Sequence, residues 1–99
     1  MAKRKMIWSK RSSIRLFEIL EFYTNRNKTL RYSAKLYKRF VKELSLLDKH
    51  PEIGISTDFE DIRGLIIDDF IIFYEISPEN IIVHTIWDCR QDPNNLKIR

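Results

Sequence analysis

The apolar residues of this chain change their spacing near its middle, and this change restricts the fold more than any other feature. In the first half, apolar residues recur every three or four positions, as on one face of a helix; the clearest such face is Leu16, Ile19, Leu20 and Tyr23. The second half instead holds three short runs of β-branched and aromatic residues, at 62–67, 70–76 and 81–87. A helical half followed by a strand-rich half predicts an α+β fold.

Two helices are predicted in the first half. The first covers about residues 12–25, and the second begins after Thr29, which can cap its first turn. The second helix ends before Pro51, since the residue before a proline disfavours helix. Its predicted buried face is Tyr37, Phe40, Val41 and Leu44, and its predicted solvent face is Lys35, Lys38, Arg39 and Lys42.

Short turns join the predicted strands. Asp68-Asp69 separates the first two runs and residues 77–80 separate the last two, so the three strands form an antiparallel meander. Residues 4–8 add a short strand before the helices. We therefore expect one domain over residues 1–99, of class α+β: a short N-terminal strand, a two-helix hairpin, and a three-stranded antiparallel meander packed against the helices.

The residue types exclude several classes of function. The single cysteine, Cys89, cannot form an intramolecular disulfide, and two histidines, His50 and His84, do not supply the usual zinc ligands. Gly54 and Gly64 stand alone, which excludes a glycine-rich phosphate loop. No apolar stretch follows the basic start, and no run approaches the roughly 18 residues of a membrane span. We expect a cytoplasmic protein with no cofactor, no metal and no membrane partner.

Charge is distributed unevenly along the chain. Residues 1–50 hold 14 Lys or Arg against 4 Asp or Glu, whereas residues 51–99 hold 4 against 10. A strongly basic half attracts a polyanion or an acidic protein segment. Solvated helix faces are the simpler interpretation of such a charge run, and the sequence does not decide between the two.

The last predicted strand ends in a charged cluster, Trp87-Asp88-Cys89-Arg90-Gln91-Asp92-Pro93. Asp88 and Arg90 lie two residues apart, so their side chains leave the strand on one face. The Arg90 guanidinium can present a planar fork to a phosphate or carboxylate, or it can pair with Asp88 and fasten the strand end. Acidic pairs at Glu60-Asp61 and Asp68-Asp69 flank strands, where solubilising charge is the simpler explanation.

Taken in order, these segments resemble the RelE/ParE family of toxins from bacterial type II toxin–antitoxin pairs. The resemblance covers residues 7–93. Its parts are the strand ending in Trp8-Ser9, the helix with Leu16-Phe17-Glu18-Ile19-Leu20-Glu21-Phe22-Tyr23, the turn His50-Pro51-Glu52-Ile53-Gly54, Arg63 before an apolar run, and the closing cluster at 87–93. The resemblance implies two helices on a small antiparallel sheet, and a toxin neutralised by an acidic antitoxin that is usually encoded next to it.

RelE-like members cut messenger RNA in the ribosome. Their sites use lysines on the second strand, an arginine early on the third, an arginine after the fourth, and a C-terminal tyrosine or histidine. Here Phe59, Glu60 and Asp61 fall in the lysine region, Ile71 replaces the third-strand arginine, and no tyrosine or histidine lies beyond the last strand. The candidate catalytic residues are Arg90, which matches the later arginine, with Arg63, Glu60 and Asp61; a carboxylate among them would act as general base.

ParE-like members instead inhibit DNA gyrase by binding it, and they need no catalytic residues. A chain that keeps the fold but lacks the ribonuclease residues fits this second activity. Candidate residues for binding the target are Arg90, Gln91, Asp92, Lys97 and Arg99. Candidate residues for binding the antitoxin are Lys35, Lys38, Arg39, Lys42, Arg11 and Arg15.

Three functions therefore compete. The favoured one is a non-catalytic inhibitor of gyrase that an antitoxin holds. The second is a ribosome-dependent messenger RNA endoribonuclease with an altered site, and the third is a non-toxic binding module that shares the fold. So small a sheet leaves an edge strand exposed, which an antitoxin or a second copy of the chain would cover; the expected assemblies are a dimer or a hetero-oligomer with the antitoxin.

Overall fold

The computed structural model describes residues 4–91, 94, 96 and 98. The elements are β1 (Lys5–Trp8), α1 (Lys10–Asn27), α2 (Arg31–Ser45), a 3-10 turn (Leu46–Asp48), β2 (Ile55–Ser56), β3 (Ile62–Ile67), β4 (Phe70–Ile76) and β5 (Asn80–Asp88). The predicted fold class is confirmed, with the two-residue strand β2 as an addition. No helix of the described residues is long and apolar enough to cross a bilayer.

The five strands form one mixed sheet in the order β1-β5-β4-β3-β2. β3, β4 and β5 are the predicted antiparallel meander, with Asp68-Asp69 as the first turn. β1 pairs with β5 in parallel, from Lys5 beside Asn80 to Trp8 beside Val83. Because this pairing joins the first and last strands of the chain, no local sequence pattern predicts it.

Ser9 fixes the start of α1. Its Oγ accepts a hydrogen bond from the backbone N–H of Ser12 (3.0 Å), which caps the helix. The Ser9 backbone N–H donates to the Val83 carbonyl (3.1 Å), and its hydroxyl donates to the His84 carbonyl (3.1 Å). The helix therefore begins at Lys10, two residues before the predicted start, and its first turn is attached to β5.

Both helices pack on the same face of the sheet and form the core with it. α1 buries Ile19 and Tyr23, and α2 buries Leu36, Phe40 and Leu44. The sheet contributes Leu65, Ile67, Phe70, Ile72, Tyr74, Ile81, Val83 and Ile86. Since burial of one such side chain contributes about 1.5–3 kcal/mol, this cluster is the main source of stability for the fold.

The buried face of α2 differs from the predicted one. Tyr37 and Val41 were expected in the core, but each is 46% exposed, and Leu36 is buried in their place. The contact between the helices explains the difference. The small residue Ser33 lies against α1, where its Oγ donates to the Leu20 carbonyl (2.8 Å), and this contact turns the Leu36 side of α2 toward the sheet.

The opposite face of the sheet, which we call the open face, carries no helix among the described residues. By strand register it consists of Lys5 and Ile7 of β1, Ile55 of β2, Ile62, Gly64 and Ile66 of β3, Ile71, Phe73 and Glu75 of β4, and Asn80, Ile82, His84, Thr85 and Trp87 of β5. A bulge makes His84 the extra residue of β5, so that it points to this face together with Thr85. Gly64 lies at the centre, where a Cβ would approach Ile71 to 2.9 Å.

A buried tyrosine holds the segment before β2. The Tyr74 hydroxyl accepts a hydrogen bond from the Gly54 N–H (3.0 Å) and donates one to the Pro51 carbonyl (2.8 Å). Gly54 has to be glycine, because a Cβ there would collide with the Tyr74 hydroxyl. Burial raises the pKa of this hydroxyl, and the Gly54 hydrogen bond partly opposes that rise.

We predict that Tyr74→Phe lowers the free energy of unfolding by about 1–3 kcal/mol, since it leaves the Gly54 N–H and the Pro51 carbonyl without their buried partner. Tyr37→Phe is the matched control, because the Tyr37 side chain is half exposed on α2. Urea unfolding followed by circular dichroism compares the two variants. Equal stability of Tyr74→Phe and wild type would show that these hydrogen bonds do not stabilise the fold.

Candidate functional site

The charged cluster at the end of β5 is built around an ion pair between Asp88 and Arg90. Arg90 Nε and Nη2 donate to the two carboxylate oxygens of Asp88, each at 2.9 Å. The Arg90 backbone N–H also donates to Asp88 Oδ1, at 2.9 Å. These hydrogen bonds lower the pKa of Asp88, with the side-chain hydrogen bond from Arg90 as the main cause.

Aromatic side chains hold the guanidinium from the other side. Arg90 Nη2 donates to the Tyr23 hydroxyl, and the guanidinium carbon lies 5.7 Å from the centre of the Tyr23 ring and 5.9 Å from that of Phe70. Both distances are typical of cation–π contact. Of the two interpretations of Arg90, the structure shows the one in which Arg90 pairs with Asp88 and fastens the end of β5. The guanidinium is bound by Asp88, and the Arg90 side chain remains half exposed.

The rim of this site includes residues that sequence reasoning missed as functional candidates. Phe22 and Tyr32 are exposed and flank Tyr23, with ring centres 5.1 Å and 4.9 Å from its ring. Gln91, which the sequence did predict as a target contact, also lies at this rim and accepts a hydrogen bond from Arg15 of α1 (3.1 Å). The helical spacing of Tyr23 predicted a core residue. The hydroxyl of a buried tyrosine usually has a hydrogen-bond partner, and this was the one sequence signal that Tyr23 contributes to a site.

The candidate catalytic residues are not brought together. Arg63 lies opposite Tyr74 in the sheet and Asp88 lies opposite Phe70, four residues along β4. At about 3.3 Å per residue, the two rows are roughly 13 Å apart. Arg63 Nη1 donates to the carbonyls of Gly54 (2.9 Å) and Glu52 (3.4 Å), so it holds the turn before β2.

The two carboxylate candidates lie farther still from Arg90. Glu60 and Asp61 are exposed and precede β3, on the side of Arg63 away from the Arg90 row. A general base has to lie within hydrogen-bond reach of the proton that it removes, and the group that stabilises the developing charge has to face the same reacting atom. Glu60, Asp61 and Arg90 therefore do not form one catalytic site.

The open face carries little charge. Strands β3, β4 and β5, all fully described, place no lysine or arginine on it, and Ile71 occupies the position expected for a third-strand arginine. The lysine that β1 contributes, Lys5, lies at the edge of this face opposite Asn80. The polar feature of this face is a pair that the sequence did not predict: His84 Nε2 lies 2.9 Å from Glu75 Oε1. A face of this kind does not supply the cations that an RNA backbone requires.

The predicted antitoxin contacts occupy two flanks of the helical hairpin. Lys35, Lys38, Arg39 and Lys42 line one groove beside α2, and Arg39 pairs with Asp68 (3.4 Å). Arg11 and Arg15 lie on α1 next to β5, where Arg15 Nε donates to the Ile86 carbonyl (3.2 Å). The residues predicted to bind the antitoxin therefore form one basic groove beside α2 and a separate basic patch on α1.

An apolar groove runs between the outer sides of the two helices. Phe17 and Leu30 are largely exposed, and Tyr37 is half exposed. The groove is lined by Phe17, Leu20, Glu21, Thr24, Leu30, Ser33, Ala34 and Tyr37. It shares no residue with the basic groove, and at 3.6 residues per turn Ser33, Ala34 and Tyr37 lie on the opposite side of α2 from Lys35, Arg39 and Lys42.

Three predicted target contacts, Asp92, Lys97 and Arg99, lie outside the described residues.

The thiol of Cys89 gives no support for a nucleophile. Although the residue is exposed, partial burial of the thiol and the neighbouring aspartates raise its pKa. Within the described part of the chain, no group of three or more His, Cys, Asp or Glu side chains is placed to hold a metal ion.

Comparison with known proteins gives a match over most of the chain. A family model described as the ParE toxin of the type II toxin–antitoxin system parDE matches residues 6–93. A solved chain from the chromosomal ParDE toxin–antitoxin system of P. aeruginosa is similar in structure, with a TM-score of 0.72, 15% sequence identity, and coverage of 85% of this chain and 94% of that one. At that identity the likeness shows a shared fold. No curated protein sequence matches.

The lowered pKa of Asp88 predicts an acid-dependent loss of stability. A carboxyl whose pKa is lowered by folding stabilises the protein above its ordinary value of 3.8, and this stabilisation disappears as the pH falls below that value. Asp88→Asn should therefore flatten the loss of stability between about pH 6 and about pH 3.

Urea midpoints at the two pH values measure this difference, with Asp58→Asn, at an exposed aspartate, as control. If wild type and Asp88→Asn lose stability equally on acidification, the pair with Arg90 does not contribute to the acid response.

Proposed function

The chain belongs to the ParE toxin family of type II toxin–antitoxin systems, and from this premise we propose that it inhibits bacterial DNA gyrase by binding, in the cytoplasm, and that a cognate antitoxin neutralises it. Gyrase inhibition accounts for the finding that, in the part of the chain that the structure describes, the candidate catalytic residues do not form one site. On this proposal the protein acts by binding its target, and its functional residues are contact residues that catalyse no reaction.

The observation that carries this proposal is the separation of the candidate catalytic residues. Arg90 is bound by Asp88 and Tyr23 at one end of the sheet, and Arg63, Glu60 and Asp61 lie at the other. Cleavage of RNA next to the 2′-hydroxyl needs a base, an acid and a cation at one phosphate. A pre-organised arginine stacked on aromatic rings suits protein recognition, because arginine and tyrosine are common in binding hot spots.

The hairpin surface supports neutralisation by an acidic antitoxin segment. An amphipathic helix would place its apolar side in the groove between Phe17, Leu30 and Tyr37. A separate acidic part of the antitoxin would meet Lys38 and Lys42 in the basic groove on the other side of α2. Arg11 and Arg15 would contact a following part of the antitoxin on α1.

The test of the target is induction of the chain alone in a bacterial host, with thymidine and methionine incorporation followed over the first minutes. We expect DNA synthesis to stop first, and the purified protein to inhibit gyrase supercoiling. Arg90→Ala should weaken that inhibition about tenfold if Arg90 is a contact hot spot, whereas Arg26→Ala, an exposed arginine of the last turn of α1, serves as control.

If protein synthesis stops first, the ribosome is the target and the ribonuclease alternative replaces gyrase inhibition. Under that alternative Arg90→Ala abolishes RNA cleavage. If folded, soluble protein stops neither process, the chain is a non-toxic binding module.

Charge reversal in the α2 groove tests the antitoxin surface. Lys38→Glu and Lys42→Glu should each slow association with the antitoxin encoded next to this chain several-fold at low salt, because steering by exposed charges depends on their sign. The difference should shrink in about 0.5 M salt, where screening acts over only a few ångströms. Surface plasmon resonance gives the rates, with Lys49→Glu as the control outside the groove. Equal rates for all three variants would move the antitoxin to another surface.

A further inference from the structure

The Arg90 guanidinium keeps one of its nitrogens for a contact outside the molecule. An arginine side chain carries five N–H groups in a planar fork. Nε and Nη2 donate to Asp88, at 2.9 Å each, and Nη2 also donates to the Tyr23 hydroxyl. Within the part of the chain that the structure describes, the two N–H groups of Nη1 have no acceptor. Since the Arg90 side chain is 48% exposed, a binding partner can reach Nη1.

Tyr23 fixes the guanidinium relative to the helices, which Asp88 alone does not do. Asp88 and Arg90 lie two residues apart at the end of β5, so their ion pair belongs to one short segment of the chain. Tyr23 lies on α1, 67 positions from Arg90, and is only 7% exposed. Its hydroxyl therefore ties the arginine to the helical layer of the fold.

The Tyr23 ring is itself held by other aromatic rings. The ring centres of Phe22, Tyr32 and Phe70 lie 5.1, 4.9 and 6.4 Å from that of Tyr23, as is typical of aromatic pairs. Phe70 is buried in the core, and its ring centre also lies 5.9 Å from the guanidinium carbon of Arg90. The acceptor of the arginine is thus built on a firm support, which restricts the conformations of a long, flexible side chain.

The hydroxyl of Tyr23 adds something that the ring does not. A phenylalanine at this position would fill nearly the same space in the core and would keep its ring beside the guanidinium. A buried hydroxyl costs free energy unless it is hydrogen-bonded, and in the described part of the chain its partner is Arg90. The presence of tyrosine here therefore points to a role in orienting Arg90.

We propose that Tyr23 is a positioning residue for target binding: it holds the Arg90 guanidinium in the orientation in which Nη1 donates to an acceptor on the target. This inference rests on the proposed function, since it states how the arginine that contacts gyrase is oriented before binding. A side chain that is already immobilised loses less conformational freedom on binding, which corresponds to roughly a two- to tenfold gain in affinity.

Tyr23→Phe tests the proposal, because it removes the hydroxyl and keeps the ring. We expect the concentration of purified protein that half-inhibits gyrase supercoiling to rise about threefold to fivefold. Added to Arg90→Ala, the same substitution should have no further effect, since no guanidinium is left to orient. A purely structural role of Tyr23 would instead weaken inhibition by the same factor in both backgrounds, so the double-mutant cycle separates the two roles.

Tyr74→Phe is the matched control, since it also removes the hydrogen-bonded hydroxyl of a buried tyrosine. Tyr74 lies four residues along β4 from Phe70, the residue opposite Asp88, and so away from Arg90. With circular dichroism confirming that each variant is folded at the assay temperature, Tyr74→Phe should inhibit gyrase like wild type. A loss of inhibition as large as that of Tyr23→Phe would assign both losses to lower stability, and the inference would be wrong.

Unchanged inhibition by Tyr23→Phe, or the same loss in both backgrounds, would overturn the inference and leave the proposed function standing. Full inhibition by Arg90→Ala would also overturn it, because Tyr23 would then have no contact residue to orient. Wild-type protein without effect on gyrase would overturn the proposed function as well.

Discussion

The backbone and side-chain hydrogen bonds of Ser9 link β1, α1 and β5 at a single residue. Its backbone continues the parallel pairing of β1 into the Val83 carbonyl, while its side chain caps α1 and reaches the His84 carbonyl. α1 is thereby laid along β5, which brings Arg15 and Tyr23 to the end of that strand. The Arg90 site and the open face both depend on this attachment, because β5 belongs to each of them.

Three surfaces of different chemistry follow from one arrangement of layers. The hairpin has an apolar groove and a basic groove on opposite sides of α2, the end of β5 holds an arginine between a carboxylate and aromatic rings, and the open face is largely apolar with Lys5 at its β1 edge. A protein of 99 residues has few places for separate contacts, and here each chemistry lies on its own side of the fold.

The parts of the fold that depend on local spacing could be predicted from the sequence. The bounds of β3 and β4 agree with the predicted runs, because β-branched residues and a two-residue turn mark both ends. The parts that depend on distant contacts could not. The parallel β1–β5 pairing joins residues far apart in the sequence, and the face that α2 buries depends on how closely Ser33 approaches α1. For the same reason Arg90 was recognised as a site residue while its partner Tyr23, 67 positions away, was not.

Because β1 pairs with β5, the sheet cannot be completed until the ribosome has synthesised β5. β1 leaves the ribosome early, yet its partner is made roughly 75 residues later, which takes about 4–15 s at the usual rates of bacterial translation. Until then the sheet lacks β5, the strand that lies between β1 and β4, the rings of Tyr23 and Phe70 have no arginine beside them, and the open face is incomplete. A chain that ends before β5 therefore lacks the Arg90 site and a complete open face, although the residues of the helical hairpin are already present.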